Sequence, residues 1–212
     1  MSAFVVTGTD TDIGKTVFAA GLTGHMGAHY WKPVQAGLDG ETDSQIVARL
    51  SGCPTLPEAY RLRLPASPHL AAEAEGLVID PARLTPPPLR PLVIEGAGGL
   101  MVPLNRQTLF LSVIAGWGLP VILCARTALG TINHSLLSLL ALRQAGAVIH
   151  GIAFIGDPVP AVEATITQMG QVRHLGRLPR LATLDPATLS AAFAAAFADA
   201  GFTDTANPTG RP

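Results

Sequence analysis

The chain has 212 residues, a net charge of −1 at pH 7, 14% charged residues and 48% hydrophobic ones. That length accommodates one α/β domain with a substantial core. The near-neutral charge supplies no basic field for nucleic acid or an anionic membrane surface, so neither partner is expected.

In chain order, Ala3-Phe4-Val5-Val6 is a short apolar run rich in β-formers. It leads into Gly8-Thr9-Asp10-Thr11-Asp12-Ile13-Gly14-Lys15-Thr16, then into a helix expected over 15–25. Strand, glycine-bounded loop, Gly-Lys-Thr and helix together form the context of a phosphate-binding P-loop. Glycines let the backbone curl its N–H groups inward, and the helix N-terminus adds a favourable dipole. Lys15 would reach the β- and γ-phosphates, and the Thr16 hydroxyl would ligate Mg²⁺. Five residues separate Gly8 from Gly14, one more than the usual pattern. A turn that holds Gly-Lys-Thr by chance is the bland alternative, and the agreement of strand, spacing and helix argues against it.

A second strand is expected at 30–34, through Tyr30-Trp31-Lys32-Pro33-Val34. Pro33 cannot donate to a ladder, so the strand must end or turn irregular there. Lys32 alone reads equally well as a solvated lysine or as a group pointing into a ligand crevice at a strand's carboxyl end. A helix is expected from the Gly40–Ser44 stretch to about Leu50, capped by Thr42 or Asp43. Asp43 is therefore either a dipole-favoured helix acid or a metal ligand near the phosphates. Residues 52–91 are punctuated by prolines and predict irregular segments with short helices, one of them following Ser67-Pro68-His69.

Leu92-Val93-Ile94-Glu95-Gly96-Ala97-Gly98-Gly99 reads as a central strand buried on both faces that runs into an acid and a glycine cluster. An acid at that strand end is where P-loop enzymes keep a Walker-B-type carboxylate. The longest uncharged stretch, 107–125, is broken by Gly116, Gly118 and Pro120. It predicts a helix over 109–117 and a strand over 120–125 rather than a membrane span. Thr131 or Asn133 is expected to cap a helix over 135–145, and the N–H groups at its start could hold a carboxylate. A strand over 150–155, a helix over 159–169, a strand over 172–176 and a helix over 186–200 follow. Residues 203–212 read as a frayed tail, leaving 1–202 as one domain. With two cysteines, Cys53 and Cys124, read as reduced thiols and no basic N-terminal region, a cytoplasmic protein is expected.

Together the long-spaced P-loop, Lys32-Pro33-Val34, Ser67-Pro68-His69, Val93-Ile94-Glu95-Gly96-Ala97-Gly98-Gly99 and Leu129-Gly130-Thr131-Ile132-Asn133-His134 resemble the dethiobiotin synthetases, to about residue 200. The resemblance implies a P-loop NTPase-like, doubly wound, mostly parallel α/β sheet with helices on both faces. It also implies a reaction: 7,8-diaminopelargonate takes up CO2 as a carbamate, which ATP phosphorylates to a carbamic-phosphoric anhydride. The second amine then closes a ureido ring, giving dethiobiotin, ADP and phosphate. Lys32 and Lys15 are the implied catalytic lysines, since two anions must be brought together. Thr16, Asp43 and Glu95 match the Mg²⁺ positions. Nucleotide contacts fall on Asp12, Ile13, Gly14, Lys15, Thr16 and Val17, on Asp43, and on Glu95, Gly96, Ala97 and Gly98. Near the base they fall on Gly156, Asp157, Pro179, Arg180 and Leu181. Substrate contacts fall on Thr11, Lys32, Ala36, Thr131 and Asn133, the last two from the partner of a homodimer. Two departures stand out: Ala36 replaces a family Ser, and Ile155-Gly156-Asp157 lacks an Asn that reads adenine in some members. The alternatives are a switch of the partitioning-ATPase type, which would carry an extra lysine among Thr9–Asp12, and another P-loop amide-forming ligase.

Overall fold

A computed structural model describes residues 2–202. The tail expected at 203–212 lies outside the described residues. In chain order the elements are β1 (Ala3–Gly8), α1 (Lys15–Met26), β2 (His29–Trp31), β3 (Val34–Ala36), α2 (Asp43–Ser51), β4 (Thr55–Leu56), β5 (Tyr60–Leu62) and α3 (Pro68–Ala74). They continue with β6 (Leu92–Gly99), α4 (Phe110–Gly116), β7 (Val121–Arg126), α5 (Thr131–Gln144), β8 (Ile149–Ile155), α6 (Pro160–Met169), β9 (His174–Leu178) and α7 (Pro186–Ala196).

Seven strands form one parallel sheet in the order β4-β2-β6-β1-β7-β8-β9. Successive side chains on a strand point to opposite faces, and here both faces are covered. Val5, Ile94, Leu123 and Phe154 pack on one side, where α4, α5 and α6 contribute Ile114, Leu139 and Ile166. Val6, Val93, Cys124 and Ala153 pack on the other, under Phe18 of α1, Val47 of α2 and Phe193 of α7. This double burial explains why the strands read as continuous apolar runs. The expected doubly wound α/β class is the observed one. β1 lies between β6 and β7, so the chain winds outward from it in both directions. Ligands in such sheets bind beyond the carboxyl ends of the strands at this switch point.

Several local expectations are corrected. The strand expected at 30–34 is two strands in two sheets: β2 joins the main sheet, and β3 pairs with β5 in a two-stranded one. Pro33 offers no N–H to continue the ladder, and its carbonyl instead accepts from Ala59 and Tyr60. The segment 52–91 contains β4 and β5 as well as α3. Helix α5 starts at Thr131, not 135, and its cap is Gly130 in the left-handed region at φ 89°, with no side-chain cap from Thr131 or Asn133. The last strand lies two residues later than expected, and α7 ends four residues earlier.

Candidate active site

The loop after β1 leads into α1 through Gly14, whose φ of +90° suits glycine. A Cβ there would sit 2.9 Å from Ile155, and one on Gly8 would sit 2.7 Å from the Lys15 side chain. Asp12 takes φ +52°, a left-handed conformation that is uncommon outside glycine. Lys15 crosses the loop and donates from Nζ to the Asp10 carbonyl at 2.6 Å. Burial lowers the Lys15 pKa, and nearby Lys32 adds to that while Glu95 opposes it.

Glu95, 1% exposed at the end of the central strands, gathers three partners. Thr16 donates from its hydroxyl to Oε1 at 3.0 Å, Lys32 donates to the same oxygen at 3.0 Å, and the Tyr30 hydroxyl donates to Oε2 at 2.8 Å. Asp43 joins the cluster, 2.5 Å from Lys32 Nζ and 3.1 Å from the Thr16 hydroxyl. Burial would lower the Lys32 pKa, but Glu95 and Asp43 outweigh it and raise it. Burial would raise the Asp43 pKa, and Lys32 overrides that and lowers it. Burial and the Glu95 charge push Tyr30 well above its ordinary value, so its hydroxyl stays a donor.

Asp43 is the acid of the first turn of α2, as expected, and Thr42 rather than Asp43 is the cap. Thr42 caps α2 in a capping box with Gln45, which leaves the Asp43 carboxylate free to face Thr16 and Lys32. Gln35 holds Asp43 in place by accepting its backbone N–H at 3.3 Å, while its own amide donates to Ala36 and Gly37. Lys32 is buried beside two acids, not solvated; β2 ends at Trp31 just before it and the chain then turns into β3 of the second sheet. Its Nζ also reaches the Gly96 carbonyl at 3.3 Å.

Two adjoining clefts meet at this cluster. One, of about 370 Å³, is lined by Gly14, Lys15, Thr16, Val17 and Glu95. The other, of about 640 Å³, is lined by Val34, Ala36, Ser67, Ala97 and Val102 among others. Thr11, Asp12, Lys32, Asp43 and Gly98 line both. The smaller, mostly apolar hollow under α3 lies away from these groups and is less suited to phosphate. Thr16, Asp43 and Glu95 present only oxygen donors, a set that suits a hard cation completing its shell with phosphate oxygens.

The remaining expected residues are placed as follows. Ile13 turns its side chain into the core, which leaves only its backbone available to a ligand. Gly156, Asp157, Pro179, Arg180 and Leu181 follow β8 and β9, where Asp157 and Arg180 pair at 3.4 Å on the surface and Arg177 donates to the Gly156 carbonyl. Thr131 and Asn133 line neither cleft of their own chain. The Thr131 side chain is buried and its hydroxyl has no hydrogen-bond partner, whereas Asn133 is exposed. Sequence reasoning missed Tyr30, Gln35 and the Ser67 hydroxyl. Strand periodicity offered a signal for Tyr30 only, since it is the aromatic one strand away from Glu95.

A Gly-Lys-Thr loop at the carboxyl end of a central parallel strand, with a buried acid on the next strand, defines a P-loop nucleotide-binding protein. The solved ParA family ATPase from Chlorobium tepidum shares this fold, with a TM-score of 0.56 and 9% identity over 91% of this chain and 97% of that one. A family model described as an AAA domain matches residues 2–188. The ATP-dependent dethiobiotin synthetase BioD of Novosphingobium aromaticivorans is 60% identical over 200 residues, 93% of this chain and 97% of its own length. The protein of the same name from Rhodopseudomonas palustris BisB18 is 63% identical over 203 residues, 94% and 97% of the two chains. The chain belongs to the dethiobiotin synthetase family.

Proposed function

We propose that the chain is an ATP-dependent dethiobiotin synthetase, a ring-forming ligase acting on 7,8-diaminopelargonate and CO2. The observation that carries this reading is the position of Lys32. It is buried between Glu95 and Asp43, where the phosphate-loop cleft meets the larger second cleft. A ligase that joins a carbamate to a γ-phosphoryl group needs fixed cations at that junction, because both reactants are anions. Lys15, lining the phosphate-loop cleft, and Lys32, lining both, supply them, and Thr11 borders both clefts. Ala36 contributes its backbone and a small surface to the substrate side.

Thr16, Asp43 and Glu95 are the residues we assign to Mg²⁺, which when bound neutralises charge on the β- and γ-phosphates. The residues around Gly14 through Val17 cradle the phosphates, with Gly96, Ala97 and Gly98 allowing close backbone approach. The turn at Gly156 and Asp157 and the segment Pro179 to Leu181 form the base side. With no Asn there, the base meets mostly backbone.

The reading includes a homodimer. Helix α5 carries Asn133, Leu137 and Leu140 along one stripe at helical spacing, with Leu129 just before its cap. The three leucines are exposed, Leu129 fully, and Met101 stands exposed near them. A groove of about 300 Å³ beside Thr9 and Asp10 runs between Met101 and Leu137. A second copy seated on this stripe would cover it and bring its own α5 start, with Asn133, toward the substrate cleft. Helix N–H groups there suit the substrate's carboxylate.

The testing experiment is phosphate release from ATP with Mg²⁺ and bicarbonate, with and without 7,8-diaminopelargonate. Release that requires the diamine, with dethiobiotin identified by mass spectrometry, is the expected result. Release indifferent to the diamine would point to a switch ATPase instead. No release with any nucleoside triphosphate would overturn the reading.

A further inference from the structure

Ser67 and Pro68 of the Ser67-Pro68-His69 segment border the second cleft, and the segment has no part in the chemistry above. Ser67 stands at the N-cap of α3, with extended backbone at φ −60° and ψ 145°, where a serine oxygen ordinarily accepts a backbone N–H from the first helical turn. It makes no such bond. The His69 N–H is taken by the Pro103 carbonyl at 3.3 Å, and the Ser67 hydroxyl lies 3.1 Å from His69 Nδ1 instead. Pro68 at the first helical position has no N–H to offer. A capping hydroxyl has thus been turned toward an imidazole.

The two residues also face different spaces. Ser67 lines the cleft that holds Lys32, Thr11 and Ala36. His69 lines a separate cavity of about 280 Å³ on the far side of α3, with Glu73, Arg106 and Val78. A path of hydroxyl and imidazole therefore leads from the substrate cleft through α3 to a second cavity.

The reaction proposed above, on which this inference rests, has a use for such a path. An alkylammonium has no lone pair and cannot close a ring until it loses a proton. Lys32 is held in ion pairs with Asp43 at 2.5 Å and Glu95 at 3.0 Å, which occupies all three groups. Carboxylates in general are weak bases at neutral pH, whereas imidazole is the side chain suited to proton shuttling there. Asp10, Asp12, Lys32 and Asp43 are the charged groups on the Ser67 side. On the His69 side are Glu73 and Arg106, which pair at 2.7 Å through both carboxylate oxygens.

We propose that Ser67 and His69 form a proton relay that deprotonates the ring-closing ammonium group of the diamine. The ammonium passes one N–H proton to Ser67 Oγ as the Ser67 hydroxyl proton passes to His69 Nδ1. The nitrogen keeps the electron pair and attacks the carbonyl of the carbamic-phosphoric anhydride. A C–N bond forms, the C–O bond to phosphate breaks with its electron pair going to phosphate, and the nitrogen's surplus proton leaves on the phosphate. His69 then gives the extra proton to water and exchanges to the tautomer with Nδ1 free, which resets the relay. Ser67 touches the substrate, and His69 acts through it.

The test measures kcat for dethiobiotin formation from pH 6.5 to 9.5 in the parent and in Ser67→Ala, Ser67→Thr and His69→Gln, with the KM for ATP as the control. Ser67→Ala and His69→Gln are expected to lose on the order of 10²-fold in kcat near pH 7 and to recover as rising pH frees the amine. Ser67→Thr keeps the hydroxyl and should stay within a few-fold of the parent. The KM for ATP should not move. Losses equal at every pH, or profiles parallel to the parent, would overturn the relay and leave Ser67 and His69 with a packing role. A parent that makes no dethiobiotin at any pH would instead overturn the function on which the relay rests.

Discussion

Replacing Lys32 with Gln tests the centre of the site. Lys32 is 4% exposed and stands 2.5 Å from Asp43 and 3.0 Å from Glu95. Coulomb's law at an effective dielectric constant of about 20 gives roughly 5 kcal/mol for one such pair at 3 Å, much of it offset by the cost of burying the charges. Removing one partner of a buried pair leaves the other charge uncompensated and costs about 3–5 kcal/mol. Here two carboxylates lose the cation they share, and a Gln amide restores hydrogen bonding without the charge. A loss of about 3 kcal/mol is expected at pH 7, or roughly 6–12 °C in Tm for a chain of this size. The pH dependence has a definite sign. The Asp43 pKa is depressed in the fold, so its stabilisation is present above its ordinary value of 3.8 and lost as pH falls through the depressed one. The Lys32 pKa is raised, so its share is present below its ordinary value of 10.5 and lost as pH rises through the raised one. The stability gap between parent and variant should therefore be flat across neutral pH and close at both extremes. Turnover should fall about 10²–10³-fold, the usual cost of losing one preorganised charge-stabilising donor. Nucleotide binding should persist, because Lys15 and the loop are untouched. Thermal melts across pH and coupled phosphate release measure all three. A variant that melts within about 1 °C of the parent at pH 7 and turns over at a similar rate would refute the reasoning.

Tyr30→Phe removes only the hydroxyl that donates to Glu95 at 2.8 Å. A buried hydrogen bond to a charged group contributes about 1.5–3 kcal/mol, so denaturant unfolding should show a loss in that range. Leu137→Glu places a charge on the exposed stripe of α5; if the proposed homodimer forms there, gel filtration with light scattering should find parent dimers and variant monomers, with the fold intact by circular dichroism. Asn133→Ala should raise the KM for the diamine several-fold with little change in the KM for ATP, and an unchanged diamine KM would leave Asn133 without a substrate contact.

Much of this protein was legible along the chain because the informative contacts are local. The backbone of the phosphate loop is built from Gly8 to Thr16, and its glycines, lysine and threonine act through the turn that they themselves form. The buried strands announce themselves as apolar runs because both sheet faces are covered. Motifs brought together by family resemblance named the reaction, and relatives of about 60% identity agree on the family. What the sequence left open depended on contacts between residues far apart in the chain. Which of Thr42 and Asp43 caps the helix, and that the Asp43 carboxylate lies within reach of Thr16 and Lys32, came only from the folded chain. Whether Lys32 is solvated was settled by Glu95, 63 residues away, and by the change of sheet at Pro33. Helix α5 starts four residues early because Gly130 adopts the left-handed conformation, which the pattern of Thr131 and Asn133 conceals. Ser67 looks like an ordinary cap in the sequence. Only the tertiary contact between Pro103 and the His69 N–H shows why its hydroxyl turns to the imidazole. Local backbone chemistry is written in neighbouring residues, whereas the ionisation and direction of a side chain are set by charges and carbonyls that folding brings from elsewhere.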